Sequence, residues 1–126
     1  MKKENRVSIR IDGSCLFNGH GGWGVVVCFK GVVRAYHGHI LTNHSLTAEK
    51  MALAIALTEA PRYYYTTIYT DCTGVKKCFD TPNLKDEMDK DISLLREGKP
   101  LTEVIVVNRK LLKDAHNLAR RGAKQR

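Results

Sequence analysis

Three acidic residues stand where hydrophobic patterning would bury them. Asp12 follows the alternating apolar segment Val7–Ile11, Glu49 lies on the inner stripe of a helical pattern, and Asp71 closes the apolar segment Tyr65–Thr70. Burying a carboxylate is costly unless it holds a cation or a proton, so acids in such places are candidates for chemistry. The chemistry that needs several converging carboxylates is metal-assisted phosphoryl transfer. Hard divalent cations take oxygen ligands and keep part of their water, and two of them can stabilise both the attacking and the leaving oxygen of an in-line displacement. Each acid also has a plainer reading taken singly. Asp12 could be the first residue of an Asp-Gly turn, Glu49 a first-turn acid favoured by the helix dipole, and Asp71 a cap for the next helix. The three plain readings do not explain why strand topology would bring all three together.

The elements that would position these residues follow from periodicity. Val7–Ile11 alternates as a half-buried strand, Trp23–Phe29 is nearly continuously apolar, and Lys30-Gly31 makes a tight turn into Val32–Ile40, so residues 7–40 read as an antiparallel meander. A helix is expected over Thr47–Ala60, with Thr47 as its cap, Ala48, Met51, Ala52, Ile55 and Ala56 inward, and Pro61 beyond its end. Tyr65–Thr70 reads as a strand joined by a parallel crossover, and Thr73–Phe79 as a short helix. An amphipathic helix follows within 83–97, marked by Leu84, Met88, Ile92 and Leu95. Val104–Val107 is the last strand, and a final helix runs from Lys110 to about Lys124 with Leu111, Ala115, Leu118 and Ala119 inward and Leu112 as a further candidate. The expected fold is α/β, a five-stranded mixed sheet flanked by helices. Strands one to three are antiparallel, and the fourth and fifth run parallel to the first. Neighbouring first and fourth strands would bring Asp12, Glu49 and Asp71 to one sheet edge.

At 126 residues the chain is read as one domain, 1–126. No apolar run has the length of about 20 residues that a membrane helix needs. The polar start, 1–6, does not resemble a secretory leader, and Cys15, Cys28, Cys72 and Cys78 lack metal-type spacing, which points to reduced thiols and a cytoplasmic setting. The net charge of +8 is uneven: residues 108–126 hold seven Lys or Arg against the single Asp114, whereas residues 80–97 hold six acids against three bases. A basic end favours a polyanionic partner, though it is also what a solvated helix face looks like.

The motifs resemble the type 1 ribonuclease H family over nearly the whole chain. DGSCLFNGHGGWG at 12–24 is similar to that family's opening D-G-S-x-x-x-N-x-x-x-G-G-x-G. Thr42-Asn43 followed by Ala48-Glu49 resembles its T-N…E element, and TDC at 70–72 its T-D-S. The stretch VNRKLLKDAHNLAR at 107–120 resembles the closing V-x-R-x-x-N-x-x-A-D-x-L-A-R of compact members. The acids are 37 and 22 residues apart, which fits the same family. The resemblance implies an endonuclease that cuts the RNA strand of an RNA–DNA hybrid, using two Mg²⁺ or Mn²⁺ ions for in-line attack by water and leaving 3′-hydroxyl and 5′-phosphate ends. By position, Asp12 would bridge both ions, and Glu49 and Asp71 would hold the ion on the leaving side. Gly13, Ser14, Cys15 and Asn18, with Asn43, would face the minor groove and sense 2′-hydroxyls. Thr73 stands where the family often has an amide, so it is placed beside substrate by position alone, with Arg109 and Lys110 as cations at the turn before the last helix. Double-stranded RNA is a second expected partner, and a monomer the expected state.

The departures from the family pattern are specific. His116 stands where the family has its fourth catalytic Asp, and Leu112 replaces an Asn. His116 could itself ligate a divalent ion, since imidazole suits Mn²⁺, Ni²⁺ or Zn²⁺ better than Mg²⁺. Asp114, two residues earlier, is the alternative fourth acid if the helix start frays or shifts. The basic insertion of larger members is replaced by the acidic 83–97 helix, and the glycine-histidine loop before the last helix is absent. Two further readings therefore accompany the nuclease: a module on the same scaffold that binds hybrid or double-stranded RNA with little turnover, and another member of the wider superfamily. His37 and His39, two apart on one strand face, could chelate a soft metal or simply sit at the surface.

Overall fold

The computed structural model describes residues 6–125; the polar segment 1–5 and Arg126 of the basic tail lie outside them. The elements run β1 (Arg6–Cys15), a 3₁₀ turn (Phe17–Gly19), β2 (His20–Phe29), β3 (Val32–Leu41), α1 (Ser45–Glu59), β4 (Tyr65–Thr70), α2 (Thr73–Asp80), α3 (Glu87–Glu97), β5 (Thr102–Val106), a second 3₁₀ turn (Arg109–Leu112) and α4 (Lys113–Ala123). The five strands form one sheet in the order β3-β2-β1-β4-β5. β1 pairs antiparallel with β2 and parallel with β4, and β4 pairs parallel with β5, as the alternation and the crossover lengths require. Lys30 and Gly31 both take positive φ, 51° and 77°, which matches the twist of the β2–β3 hairpin.

Successive residues of a strand face opposite sides, and two glycines show what covers each side. A Cβ at Gly13 would lie 2.5 Å from the Glu49 backbone nitrogen, so α1 lies directly on that face. A Cβ at Gly24, the partner of Asp12 in β2, would meet the Ala115 carbonyl, so α4 lies on the other face. The glycines at 21–24 therefore belong to a strand, and Gly22 and Gly24 let α4 approach with its alanine face, Ala115, Ala119 and Ala123, all buried. On the α1 side, Ile9, Ile11, Leu53, Leu57, Ile68 and Ile92 are fully buried, each contributing about 2 kcal/mol relative to exposure in water. α2 and α3 pack against α1 on that side.

Several boundaries differ from the sequence reading for local reasons. α1 starts at Ser45, not at Thr47, and its cap position is His44, whose N–H is taken by the Thr42 hydroxyl. Its buried rows are Ala48/Ala52/Ala56 and Glu49/Leu53/Leu57, one position round from the expected Met51 and Ile55. Leu84 is 60 % exposed because α3 begins only at Glu87, where Asp86 caps it by accepting from the Asp89 N–H. The predicted final helix opens as a 3₁₀ turn, and this turns Leu111 outward (64 % exposed) and Leu112 fully inward. No helix among the described residues is long and apolar enough to cross a membrane.

Candidate active site

β1 continues to Cys15 beside β2, whereas its pairing with β4 ends at Arg10↔Tyr69. Beyond that point the two central strands part, at the carboxyl end of a parallel pair, a position where open α/β sheets form ligand crevices. Asp12 projects here from the α4 face, Glu49 from α1 on the other face, and Asp71 follows the last residue of β4. One carboxylate oxygen from each of the three lies within 4.8 Å of the others. The three acids expected at one sheet edge do meet, but at the sheet's centre, at the strand ends.

The plainer readings of these acids do not survive the geometry. Asp12-Gly13 lies inside a continuous strand pairing with Gly24 and Trp23, so it makes no turn. Glu49 is the fifth residue of α1, past the first turn that the helix dipole favours. The cap position of α2 is Cys72, not Asp71.

The electrostatics are those of an acid cluster short of counter-charge. Asp12 is 1 % and Glu49 8 % exposed. Two like charges at this separation repel by about 3 kcal/mol at an effective dielectric near 20. Burial, and then the neighbouring Asp12 charge, push Glu49 from its usual 4.5 up to about 9. Burial and Asp12 also raise Asp71, which is 3.7 Å from Arg109 Nε. The Glu49 Oε2 atom is buried with no hydrogen-bond partner. An orphaned, buried carboxylate oxygen among hard oxygen donors fits a divalent cation such as Mg²⁺ or Mn²⁺.

His116, on the first turns of α4, meets this cluster: its Nδ1–H donates to Asp12 Oδ2 at 2.7 Å. Asp114 does not. Its carboxylate accepts from Arg10 Nη2 at 2.6 Å and from Arg10 Nε at 3.0 Å, and from its neighbour's N–H at Ala115. The Arg10 hydrogen bonds hold Asp114 below the usual carboxylate range and turn it from the acids. Asp114, the alternative fourth acid, is thus turned to Arg10 and not to the three acids, even though a 3₁₀ turn precedes α4.

The expected substrate contacts divide. Gly13 is buried beneath α1, so it sets the seating of Glu49 and offers no groove surface. Ser14 and Cys15 are the end of β1 rather than a loop, and the Cys15 thiol donates to the Thr42 carbonyl. Asn18, exposed and with φ of 77°, sits on the 3₁₀ turn, and Gly19 next to it accepts from the Thr42 N–H, which brings the turn beside Asn43. Thr73 is exposed as the first residue of α2. Arg109 is at the acids; Lys110 is exposed, with its backbone N–H held by the Asn108 side chain. Two residues were missed in the sequence. Lys50 forms a 2.7 Å ion pair with the nearly buried Asp89 of α3, and Arg10 holds Asp114. Arg10 gave no signal, because it stands at a polar position of an alternating strand.

No protein-family model matches the chain. In sequence it is 37 % identical over 76 residues to a ribonuclease H of Paramagnetospirillum magneticum, covering 60 % of this chain and 49 % of that one. The chain spans about half the length of the curated relatives it matches. In structure it superposes on ribonuclease H1 from the halophilic archaeon Halobacterium salinarum with a TM-score of 0.79 at 23 % identity, covering 93 % of this chain and 96 % of that one. It superposes equally on a compost-derived ribonuclease H1 in complex with an RNA/DNA hybrid, with a TM-score of 0.80 at 20 % identity and coverages of 93 % and 96 %. The chain has the fold of the type 1 ribonucleases H, and over three-fifths of its length it is similar in sequence to proteins named ribonuclease H.

Proposed function

We propose that this chain is a divalent-metal-dependent endonuclease that hydrolyses the RNA strand of RNA–DNA hybrids, leaving 3′-hydroxyl and 5′-phosphate ends. The observation that carries the reading is the convergence of Asp12, Glu49 and Asp71 within 4.8 Å around a buried, unpartnered carboxylate oxygen. Sequence likeness to ribonucleases H and fold likeness to a hybrid-bound ribonuclease H1 support it.

In this reading Asp12, Glu49 and Asp71 would hold the divalent ions, with His116 beside Asp12 as a further donor. Bound Mg²⁺ or Mn²⁺ would supply Lewis-acid charge at the scissile phosphate and a nucleophilic water at neutral pH. The chain's own residues do the rest. Gly13 admits α1 so that Glu49 reaches the cluster. The His116 imidazole fixes the Asp12 carboxylate. The Arg109 guanidinium, beside Asp71, faces the negative charge that a phosphodiester brings. Asn18 and Asn43 present amide groups to the minor groove, where A-form-like duplexes expose 2′-hydroxyls, and this gives recognition of RNA without sequence preference. Arg120, Arg121 and Lys124 on exposed α4 follow the backbone of the paired strand, so affinity falls steeply with salt. All of these groups come from one chain, so a monomer suffices.

A second reading has its own observation: His116 occupies an Asp12 oxygen that a metal would otherwise use. It makes the chain a hybrid- or double-stranded-RNA-binding module with little turnover. Incubating a labelled RNA strand annealed to DNA with wild type and with Asp12→Asn, in Mg²⁺ and in Mn²⁺, separates the two. The nuclease reading expects products from wild type alone. Salt-dependent binding with the RNA intact in both metals refutes it in favour of the module.

A further inference from the structure

On the α4 face of the sheet, beyond Gly22 of β2, two histidines meet. His20 opens β2, and His39 lies near the end of β3. The register pairs His39 with Gly22, two residues from His20, so both rings stand on the sheet face that carries α4. His20 Nδ1 and His39 Nε2 are 2.8 Å apart, with ring centroids separated by 5.0 Å and tilted by 47°. Both residues are half-buried. The expected partner of His39, His37, lies on the same face, but its Nε2 is 3.2 Å from the Gln125 amide nitrogen.

The two imidazole nitrogens, joined in the metal-free chain by one N–H···N hydrogen bond, stand on adjacent, paired strands, so a chelate formed from them would use a backbone that is already fixed. Metal–nitrogen bonds of about 2.0–2.1 Å place two cis nitrogens about 2.9 Å apart at a right angle, and about 3.3 Å apart at the tetrahedral angle. The hydrogen-bonded spacing is already close to the right-angle value, so replacing the shared proton by an ion needs little movement, and Cu²⁺ and Ni²⁺ stand high in the general affinity order for nitrogen ligands. We propose that His20 and His39 form a two-imidazole site for a first-row transition-metal ion, taking Cu²⁺ or Ni²⁺ in preference to Mg²⁺. Water would fill the remaining positions. This site, built of two imidazoles, is distinct from the carboxylate cluster at Asp12, Glu49 and Asp71, and it stands whether or not the chain is a nuclease. Its occupant would staple the start of β2 to the end of β3. The segments bridged there are already joined by the Thr42 N–H donating to the Gly19 carbonyl, and they carry Asn18 and Asn43.

The test is calorimetric titration of the full chain with NiCl₂ and with CuCl₂, alongside thermal unfolding with and without each ion. Wild type is expected to bind an ion that Asp12→Asn, weakened at the carboxylate cluster, also retains, and both are expected to gain thermal stability from it. His20→Gln and His39→Gln are each expected to lose about tenfold or more in affinity together with the thermal gain, while His37→Gln keeps both. Two independent histidine variants, each checked for folding by circular dichroism, keep the test decisive if one folds poorly. Equal binding by wild type and both variants, loss on His37→Gln or Asp12→Asn instead, or no binding by wild type overturns the proposal.

Discussion

Replacing Glu49 by Gln should stabilise the metal-free protein. Its carboxyl is raised from 4.5 to about 9, first by burial and then by the Asp12 charge. A folded-state value above the unfolded one means that the fold binds the proton more tightly. The contribution of this group to stability is therefore full below its unfolded value and is lost as pH rises toward about 9. At about pH 7.5, some three units above the unfolded value, the loss has a ceiling of about 4 kcal/mol at about 1.36 kcal/mol per unit. Asp12 and Asp71 share the same protons, so an effect on the order of 2–4 kcal/mol is expected. Gln keeps the shape and removes the charge. In EDTA near neutral pH, Glu49→Gln should unfold about 10 °C higher than wild type, a gap that narrows toward pH ~5. Excess Mg²⁺ should raise the wild-type midpoint and leave the variant nearly unchanged. Differential scanning calorimetry in EDTA and in Mg²⁺ at both pH values reads this directly. A variant no more stable than wild type in EDTA, or a gap independent of pH, would refute the account of strain at this carboxylate.

Breaking the Lys50–Asp89 pair with Asp89→Ala leaves a half-buried ammonium unpaired and should cost about 3 kcal/mol, read by urea unfolding. Gly24→Ala forces a methyl into the Ala115 carbonyl and should cost about 3 kcal/mol or more in the same measurement by displacing α4. Asp114→Asn removes an ion pair that is partly exposed on both sides, so stability should change by about 1 kcal/mol or less, and hybrid cleavage should stay within about twofold of wild type. His116→Asp should raise activity in Mg²⁺ relative to Mn²⁺, because it exchanges a nitrogen donor for an oxygen donor beside Asp12; unchanged metal preference in steady-state cleavage would count against a role for His116 in the shell.

The order of the elements and the meeting of the three acids were legible in the sequence, because strand alternation and the crossover length determine which strands are neighbours. The buried face of α1 was not. Glu49, Leu53 and Leu57 form an inner row that a hydrophobic count rejects because it contains an acid, and the acid is there for the site. Gly21 and Gly22 lie outside the Trp23–Phe29 strand expected from the sequence, yet they are strand residues, and the missing Cβ atoms of Gly22 and Gly24 admit α4, a requirement set by a helix about a hundred residues away. The role of Asp114 could not be read because its partner, Arg10, is distant in sequence and sits on the polar face of an alternating strand. The pairing of His39 with His20 in place of His37 depends on hairpin register, which a single strand's pattern does not reveal.

The central claim is most directly tested by following an RNA–DNA hybrid labelled on either strand through a titration of Mg²⁺ and of Mn²⁺, with wild type and Asp12→Asn. The account predicts metal-dependent cleavage of the RNA strand alone, with 5′-phosphate products and none from Asp12→Asn. Wild-type protein that leaves the RNA strand intact at every metal concentration, or cleavage that persists in Asp12→Asn, would contradict it.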